Sequence, residues 1–173
     1  MKSVLALAVV ISATVAVNSY QQEQHVHGAA PAGAASATSA LSAEAVQQLL
    51  NGEGMGLAKP ADMNGYAGPK HVLELKAELA LTPAQERQVE AVRQRMLGTA
   101  RQLGQRIVDA ERSLDAAFKD GGLTEAQLAA RVAGIATLQG DLRLTHLRAH
   151  LETKPILSDA QTRKYYELRS KHH

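Results

Sequence analysis

The chain of 173 residues is long enough for one domain, and 45% of its residues are hydrophobic while only 3% are aromatic. Good helix formers (Ala, Leu, Gln, Glu and Arg) dominate it, which predicts an all-α fold with a core of small and aliphatic side chains. The net charge of +2, with both signs interspersed, argues against nucleic-acid binding, and the absence of cysteine excludes disulfides, thiolate chemistry and cysteine-ligated zinc.

The first 19 residues have the layout of a secretory signal peptide. Lys2 precedes an uncharged stretch from Ser3 to Val17, and small residues lie near an expected cleavage point at Ser19. The apolar run is shorter than the ~20 residues of a stable membrane span, although an uncleaved N-terminal anchor is the alternative. No cysteine follows for lipid attachment. We therefore expect a periplasmic protein that has no stable membrane span after cleavage and functions without ATP.

Two segments without helical periodicity precede the predicted domain. Residues 20–50 are polar and then rich in Ala, Gly and Ser, which predicts a flexible tether, although a short helix over 41–50 capped by Ser42 is compatible with the sequence. Residues 51–70 are dense in Gly and Pro and are predicted to form a loop. A Gly-x-Gly-x-Gly run in this loop follows no predicted strand, so a phosphate site is not expected. The remaining residues, 71–173, are predicted to form a four-helix domain.

One five-residue phrase, L-[ST]-x-A-Q, occurs three times in the chain, as LTPAQ at 81–85, LTEAQ at 123–127 and LSDAQ at 157–161. In each copy the Thr or Ser is a good helix N-cap, and the Gln three places later can reach back to the N–H of the cap residue. That reciprocal arrangement is a capping box, so each phrase predicts a helix start. The helices predicted from these starts and from the apolar periodicity cover residues 71–80, 83–119, 124–153 and 158–170.

The two long helices are predicted to form an antiparallel hairpin, because both carry an apolar stripe and the Gly121-Gly122 pair between them favours a tight turn. A second stripe on the third helix needs another partner, either a short helix or a second subunit, so we expect a homodimer. The stripe of the second helix consists of Val89, Val92, Met96, Ala100, Leu103, Ile107, Ala110, Leu114 and Ala117. The third helix carries Leu128, Val132, Ile135, Leu142 and Ala149, and its second stripe is Leu144, Leu147 and Leu151.

The motif and the layout of the chain resemble those of the Spy/CpxP family of periplasmic chaperones and of the related periplasmic heavy-metal sensor and resistance proteins. LTPAQ and LSDAQ resemble the two L-T-x-x-Q motifs of the family, with Ser158 in place of Thr, and the similarity covers about residues 71–170. The middle copy is interpreted as incidental. The resemblance implies a curved, all-helical homodimer. It also implies ATP-independent binding of unfolded envelope proteins, which limits their aggregation, or alternatively binding of a divalent metal ion.

A metal site is the alternative that the residues themselves suggest. His146 and His150 are four residues apart, so their rings lie on one helix face and can share an ion. Antiparallel pairing brings them level with residues 90–96. Imidazole, carboxylate and thioether ligands suit zinc, copper or nickel, and two partly buried packing histidines are the competing interpretation. The full set of candidate ligands is His71, Glu78, Glu90, Met96, His146 and His150.

A client-binding surface is the corresponding prediction for a chaperone, which requires no cofactor. Exposed leucines would hold unfolded chains and neighbouring arginines would speed their capture, although the arginines also fit a solvated, salt-bridged face. A third interpretation is an interaction with an envelope sensor protein. No Ser-His-Asp arrangement, His-Glu-x-x-His motif or thiol occurs, so an enzyme is not expected. The candidate client-binding residues are Leu144, Leu147, Leu151, Arg93, Arg101 and Arg106.

Overall fold

The computed structural model describes residues 37–170, and every regular element in that range is helical. This confirms the predicted all-α fold with two long helices and shorter flanking helices. No helix within these residues is long and apolar enough to span a lipid bilayer. The predicted signal peptide and residues 20–36 of the predicted tether lie outside the described range. The helices are α1 (Ala43–Asn51), α2 (Lys59–Met63), α3 (Pro69–Glu74), α4 (Pro83–Asp120), α5 (Glu125–Thr153) and α6 (Asp159–Ser170), with a 3₁₀ turn at Lys154–Ile156.

The long helices α4 and α5 form the predicted antiparallel hairpin. Both central glycines of the turn, Gly121 and Gly122, have φ of 73°, a conformation that glycine adopts without steric strain. Near the open end of the hairpin the Arg95 guanidinium lies 2.8 Å from the Glu152 carboxylate, which joins residues on opposite sides of the turn. The core between α1, α4 and α5 consists of Val46, Leu49, Ala100, Leu103, Ile107, Val108, Leu138 and Leu142.

Val132 departs from the predicted packing, because its side chain is 50% exposed although the sequence pattern assigned it to the α5 stripe. It lies at the edge of that stripe, roughly 60° around the helix axis from the buried Ile135. A single neighbouring helix, α4, does not cover an edge position. The remaining α5 stripe residues are buried or partly buried, as predicted.

Helix α1 packs along α4 through Val46 and Leu49, which are 0% and 5% exposed. This close approach depends on Gly104 of α4, since a Cβ atom there would lie 2.1 Å from the carbonyl oxygen of Leu49. Ser42 caps the helix, because its hydroxyl oxygen accepts the N–H of Ala45 at 3.1 Å. The predicted short helix is therefore confirmed, and the prediction of a flexible tether is wrong for residues 43–50.

The Gly/Pro-rich segment is more ordered than a plain loop. It contains α2 and the start of α3, and α3 ends at Glu74, so the helix predicted over 71–80 is too long. Asp62 at the end of α2 anchors α6. The Tyr165 hydroxyl donates to Asp62 Oδ1 at 2.6 Å, and the Arg169 guanidinium lies 3.3 Å from Oδ2. These bonds attach α6 to the Gly/Pro-rich segment, which the sequence predicts to be a loop.

Two of the three L-[ST]-x-A-Q copies meet at the open end of the hairpin. Gln85 Nε2 donates to Gln161 Oε1 at 2.8 Å, and Gln161 Nε2 donates to Gln85 Oε1 at 3.1 Å. Each glutamine also completes the capping box of its own helix, with Thr82 and Ser158 as caps. In the middle copy, Gln127 is exposed, and among residues 37–170 its side chain bonds only the cap residue of its own helix. The first and third copies therefore start α4 and α6 and also bond the first turns of these two helices to each other.

Candidate functional site

A cavity of ≈ 1090 Å³ lies between the open end of the hairpin and the segment from Asn51 to His71. It is the most chemically distinctive feature of the described range. Every histidine and every methionine between residues 37 and 170 lines it, although they come from five separate elements: the loop after α1, and α2, α3, α4 and α5. These residues are Met55, Met63, His71, Met96, His146 and His150.

His146 on α5 is 4% exposed, and its Nε2 atom is buried without a hydrogen-bond partner among the described residues. Burial lowers the pKa of the imidazole, and the neighbouring His150 lowers it further. The ring is therefore neutral near pH 7. The backbone at Gly54 lies against the other ring nitrogen of His146, since a Cβ atom at Gly54 would lie 3.4 Å from Nδ1. An unpaired buried nitrogen costs about 1–3 kcal/mol, which makes this atom a candidate ligand-binding group.

His150, one turn later, is 8% exposed and has a fixed ring orientation. Its Nδ1 lies 2.6 Å from the carbonyl oxygen of Tyr66. A carbonyl oxygen only accepts, so Nδ1 carries a proton, and in the neutral tautomer this leaves the lone pair on Nε2. Metal-binding histidines commonly have such a carbonyl partner. Gly68 makes room for the ring, because a Cβ atom there would lie 2.9 Å from Nε2.

His71 on α3 lines the same cavity but has a different environment. Its Nδ1 lies 3.9 Å from Asp62 Oδ2, a carboxylate that Tyr165 and Arg169 already bind. Burial lowers the pKa of His71, and the Arg169 charge lowers it further, against the opposing effect of Asp62. This imidazole is therefore also neutral near pH 7, as a metal ligand must be.

The two predicted carboxylate ligands do not lie in the cavity lining. Glu78 is exposed in the turns that follow α3, because the helix ends four residues earlier. Glu90 pairs with Arg93 at 3.5 Å and accepts a hydrogen bond from Gln94. Within residues 37–170, no three His, Asp or Glu side chains form a group that could hold a metal ion. Glu78 and Glu90 therefore lie apart from the other four predicted ligands, all of which line the cavity.

Met55 and Met63 are cavity residues that the sequence patterns missed, because they lie in the glycine-rich segment where periodicity gives no information. A usable signal was present: Met55 stands between Gly54 and Gly56, and Met63 is followed by Asn64 and Gly65. A methionine in a turn, away from any apolar stripe, is not explained by core packing.

The charges around the cavity are mainly positive. The lining contains two carboxylates, those of Glu53 and Asp62, and five cationic side chains. Part of the positive charge is compensated, for example by the pairs Arg169–Asp62 at 3.3 Å and Arg93–Glu90 at 3.5 Å. The five cationic residues are Lys59, Lys70, Arg93, Arg101 and Arg169.

The residues predicted to bind unfolded clients lie on different sides of the hairpin. Leu144 and Leu151 are 50% and 59% exposed, while Leu147 is partly buried. Leu144 precedes the cavity-lining His146 by two residues, a rotation of roughly 200° about the α5 axis. Of the predicted arginines, Arg93 and Arg101 line the cavity, and Arg106 lines a smaller groove of ≈ 430 Å³ between α4 and α5. The leucines and arginines therefore do not form one continuous surface.

Comparison with known proteins adds no identification: the chain matches no protein-family profile, no curated protein and no solved structure. The resemblance to the Spy/CpxP family stays a prediction from the first and third L-[ST]-x-A-Q motifs and the helix layout.

Proposed function

We propose that this chain is an exported protein that binds a transition-metal ion (zinc, copper or nickel) in the cavity at the open end of the hairpin. The observation that carries the proposal is His146, a neutral imidazole whose buried Nε2 has no partner among the described residues. An ion at this atom would satisfy it. His150 lies one turn away, with its Nδ1 proton directed at the Tyr66 carbonyl. Imidazole ligands held in this way suit all three metals.

The test is the melting temperature of the purified protein with and without each metal ion. A ligand at 100 times its dissociation constant stabilises the native state by about 2.7 kcal/mol, so a clear upward shift is expected with at least one ion. The variants His146→Ala and His150→Ala should lose the shift. Glu78→Gln, which changes an exposed residue outside the cavity, should keep it. If none of the three ions changes the melting temperature, the proposal is wrong.

A chaperone that binds unfolded envelope proteins without ATP is the second candidate. The observation that favours it is the pair Leu144 and Leu151, large apolar side chains that are at least half exposed on α5. The same face would serve a homodimer or an envelope sensor protein. The motif resemblance adds support, whereas the separation of the leucines from Arg93 and Arg101 weakens the predicted electrostatic contribution.

The chaperone candidate is tested by light scattering from an unfolded model client diluted into the protein with chelator present. Scattering should fall at near-stoichiometric ratios for the unmodified chain and for Val132→Gln, a control at an equally exposed aliphatic residue of α5. It should rise again for the Leu144→Gln, Leu151→Gln double variant. Unchanged scattering with the unmodified chain would exclude this function. Sedimentation of the same variants measures the predicted dimer.

A further inference from the structure

The methionines point to a narrower class of ligand than the histidines alone. Met55, Met63 and Met96 come from a loop, from α2 and from α4, yet all three line one cavity. Met55 and Met63 are 46% and 70% exposed, so burial of apolar surface does not account for their positions. A thioether is a weak hydrogen-bond acceptor and a neutral, polarisable donor to soft metal ions.

Met55 also adopts an unusual backbone conformation. Its φ is +45°, in the left-handed region that glycine adopts without strain, and glycines stand on both sides of it. A non-glycine residue in this region is strained, and such a conformation persists where the surrounding structure imposes it. The preceding residue, Gly54, lies against the His146 ring. The strained residue Met55 therefore directly follows the residue that lies against the His146 ring, and its side chain lines the same cavity as His146.

The other side chains that line the cavity do not favour a divalent ion. The described residues contain no group of three imidazoles or carboxylates that could complete a zinc or nickel site. The cavity lining carries five cationic side chains against two carboxylates. Since Coulomb repulsion scales with the charge of the ion, these cations oppose a divalent ion about twice as strongly as a monovalent one. Neutral thioether and imidazole ligands would leave the charge of a divalent ion uncompensated.

We infer that the ion is a soft monovalent one, Cu(I) or its analogue Ag(I), bound by the thioethers of Met55 and Met96 together with the free nitrogen of His146. The inference rests on the proposed metal-binding function and specifies its ligand. Met96 is the partly buried thioether on α4, the helix that faces the histidines across the hairpin. Met63, the most exposed of the three, lies at the end of α2 and is not assigned as a ligand.

The probe is Ag(I), which undergoes no redox chemistry, titrated into the full chain labelled with ¹³C at the methionine methyl groups. The methyl signals of Met55 and Met96 should shift with a 1:1 stoichiometry. The variants Met55→Leu, Met96→Leu and His146→Gln should each bind Ag(I) at least tenfold more weakly. Val132→Leu, a control at an exposed residue of α5 outside the cavity lining, should bind within threefold of the unmodified chain. Leucine conserves volume, and circular dichroism of the metal-free variants checks that they fold.

The outcomes separate this inference from the proposed function. If zinc or nickel binds in a way that requires His146 while the methyl signals stay unmoved by Ag(I), the cavity is a metal site and the thioether assignment is wrong. Equal Ag(I) affinity of Met55→Leu and the unmodified chain also overturns the assignment. If no ion binds at all, both the inference and the proposed function fail. X-ray absorption spectra of the Cu(I) form should show sulfur atoms bound to copper. The number of these sulfur atoms should be lower in Met55→Leu and in Met96→Leu.

Discussion

Replacing Gly104 by alanine should destabilise the protein even though the position lies within a long helix. In an exposed helix interior, Gly→Ala stabilises by about 1 kcal/mol. At Gly104 the new methyl group would lie 2.1 Å from the Leu49 carbonyl oxygen and 2.6 Å from its carbon, so the backbone of α1 must move. Overpacking of this kind costs about 1–3 kcal/mol. If α1 detaches, exposure of Val46 and Leu49 alone costs about 3–6 kcal/mol.

Gly98 provides the matched control, because it lies on the same helix and a Cβ atom there would have nothing within 4 Å. Gly98→Ala should stabilise the protein by roughly 0.5–1 kcal/mol, so the two variants should differ by about 1.5–4 kcal/mol. Urea denaturation followed by circular dichroism measures the free energy of unfolding of both. If Gly104→Ala is as stable as Gly98→Ala, α1 does not pack on α4 at the distance described. The position of Gly54 against His146 would then also be in error, because Gly54 lies in the loop directly after α1.

Three other perturbations test local features. Gly68→Ala should displace the ring of His150, since the new Cβ would lie 2.8 Å from its Cε1, and the side-chain nitrogen signals of His150 in NMR spectra should shift. Hydrogen bonds from Ser39 hold the pKa of Asp115 below its ordinary value of 3.8. The ionised carboxylate therefore contributes its full stabilisation above pH 3.8. This stabilisation is lost as the pH falls through the lower pKa of the folded state. The protection of the Ser39 amide, which is measured from its exchange rate after correction for the intrinsic pH dependence of amide exchange, should therefore fall below pH 3.8 in the unmodified chain and not in Asp115→Asn, and an identical profile in the two would contradict the anchor. Thr124→Ala removes one capping box and should lower the free energy of unfolding by about 1 kcal/mol, which thermal denaturation can measure.

The long helices were predictable because their limits are encoded locally. Capping boxes specify where α4 and α5 begin and a Gly-Gly turn specifies where α4 ends, and the observed bounds, Pro83–Asp120 and Glu125–Thr153, lie within a residue of the predicted ones. The pattern i, i+4 likewise identified His146 and His150 as neighbours. These are signals that a few adjacent residues carry by themselves.

The other walls of the cavity were not predictable, because they depend on contacts between distant segments. The Gly/Pro-rich segment has no period from which to infer which side chains face inward. Its position is fixed by Asp62, which bonds Tyr165 at a separation of 103 residues, and by the approach of Gly68 to His150. Glu78 was misplaced for the same reason, since helical periodicity alone does not reveal that α3 ends at Glu74.

The pairing of Gln85 with Gln161 bears on the order in which the chain folds. The α4–α5 hairpin can grow from its turn by adding contacts that are each short in sequence. The glutamine pair closes a separation of 76 residues and the Asp62–Arg169 pair one of 107, so both require larger loop-closure entropy. The cavity end should consequently assemble after the hairpin and open before it. An ion bound in the cavity would slow hydrogen exchange in α1, α3 and α6, while exchange beside the Gly121-Gly122 turn would stay as it was.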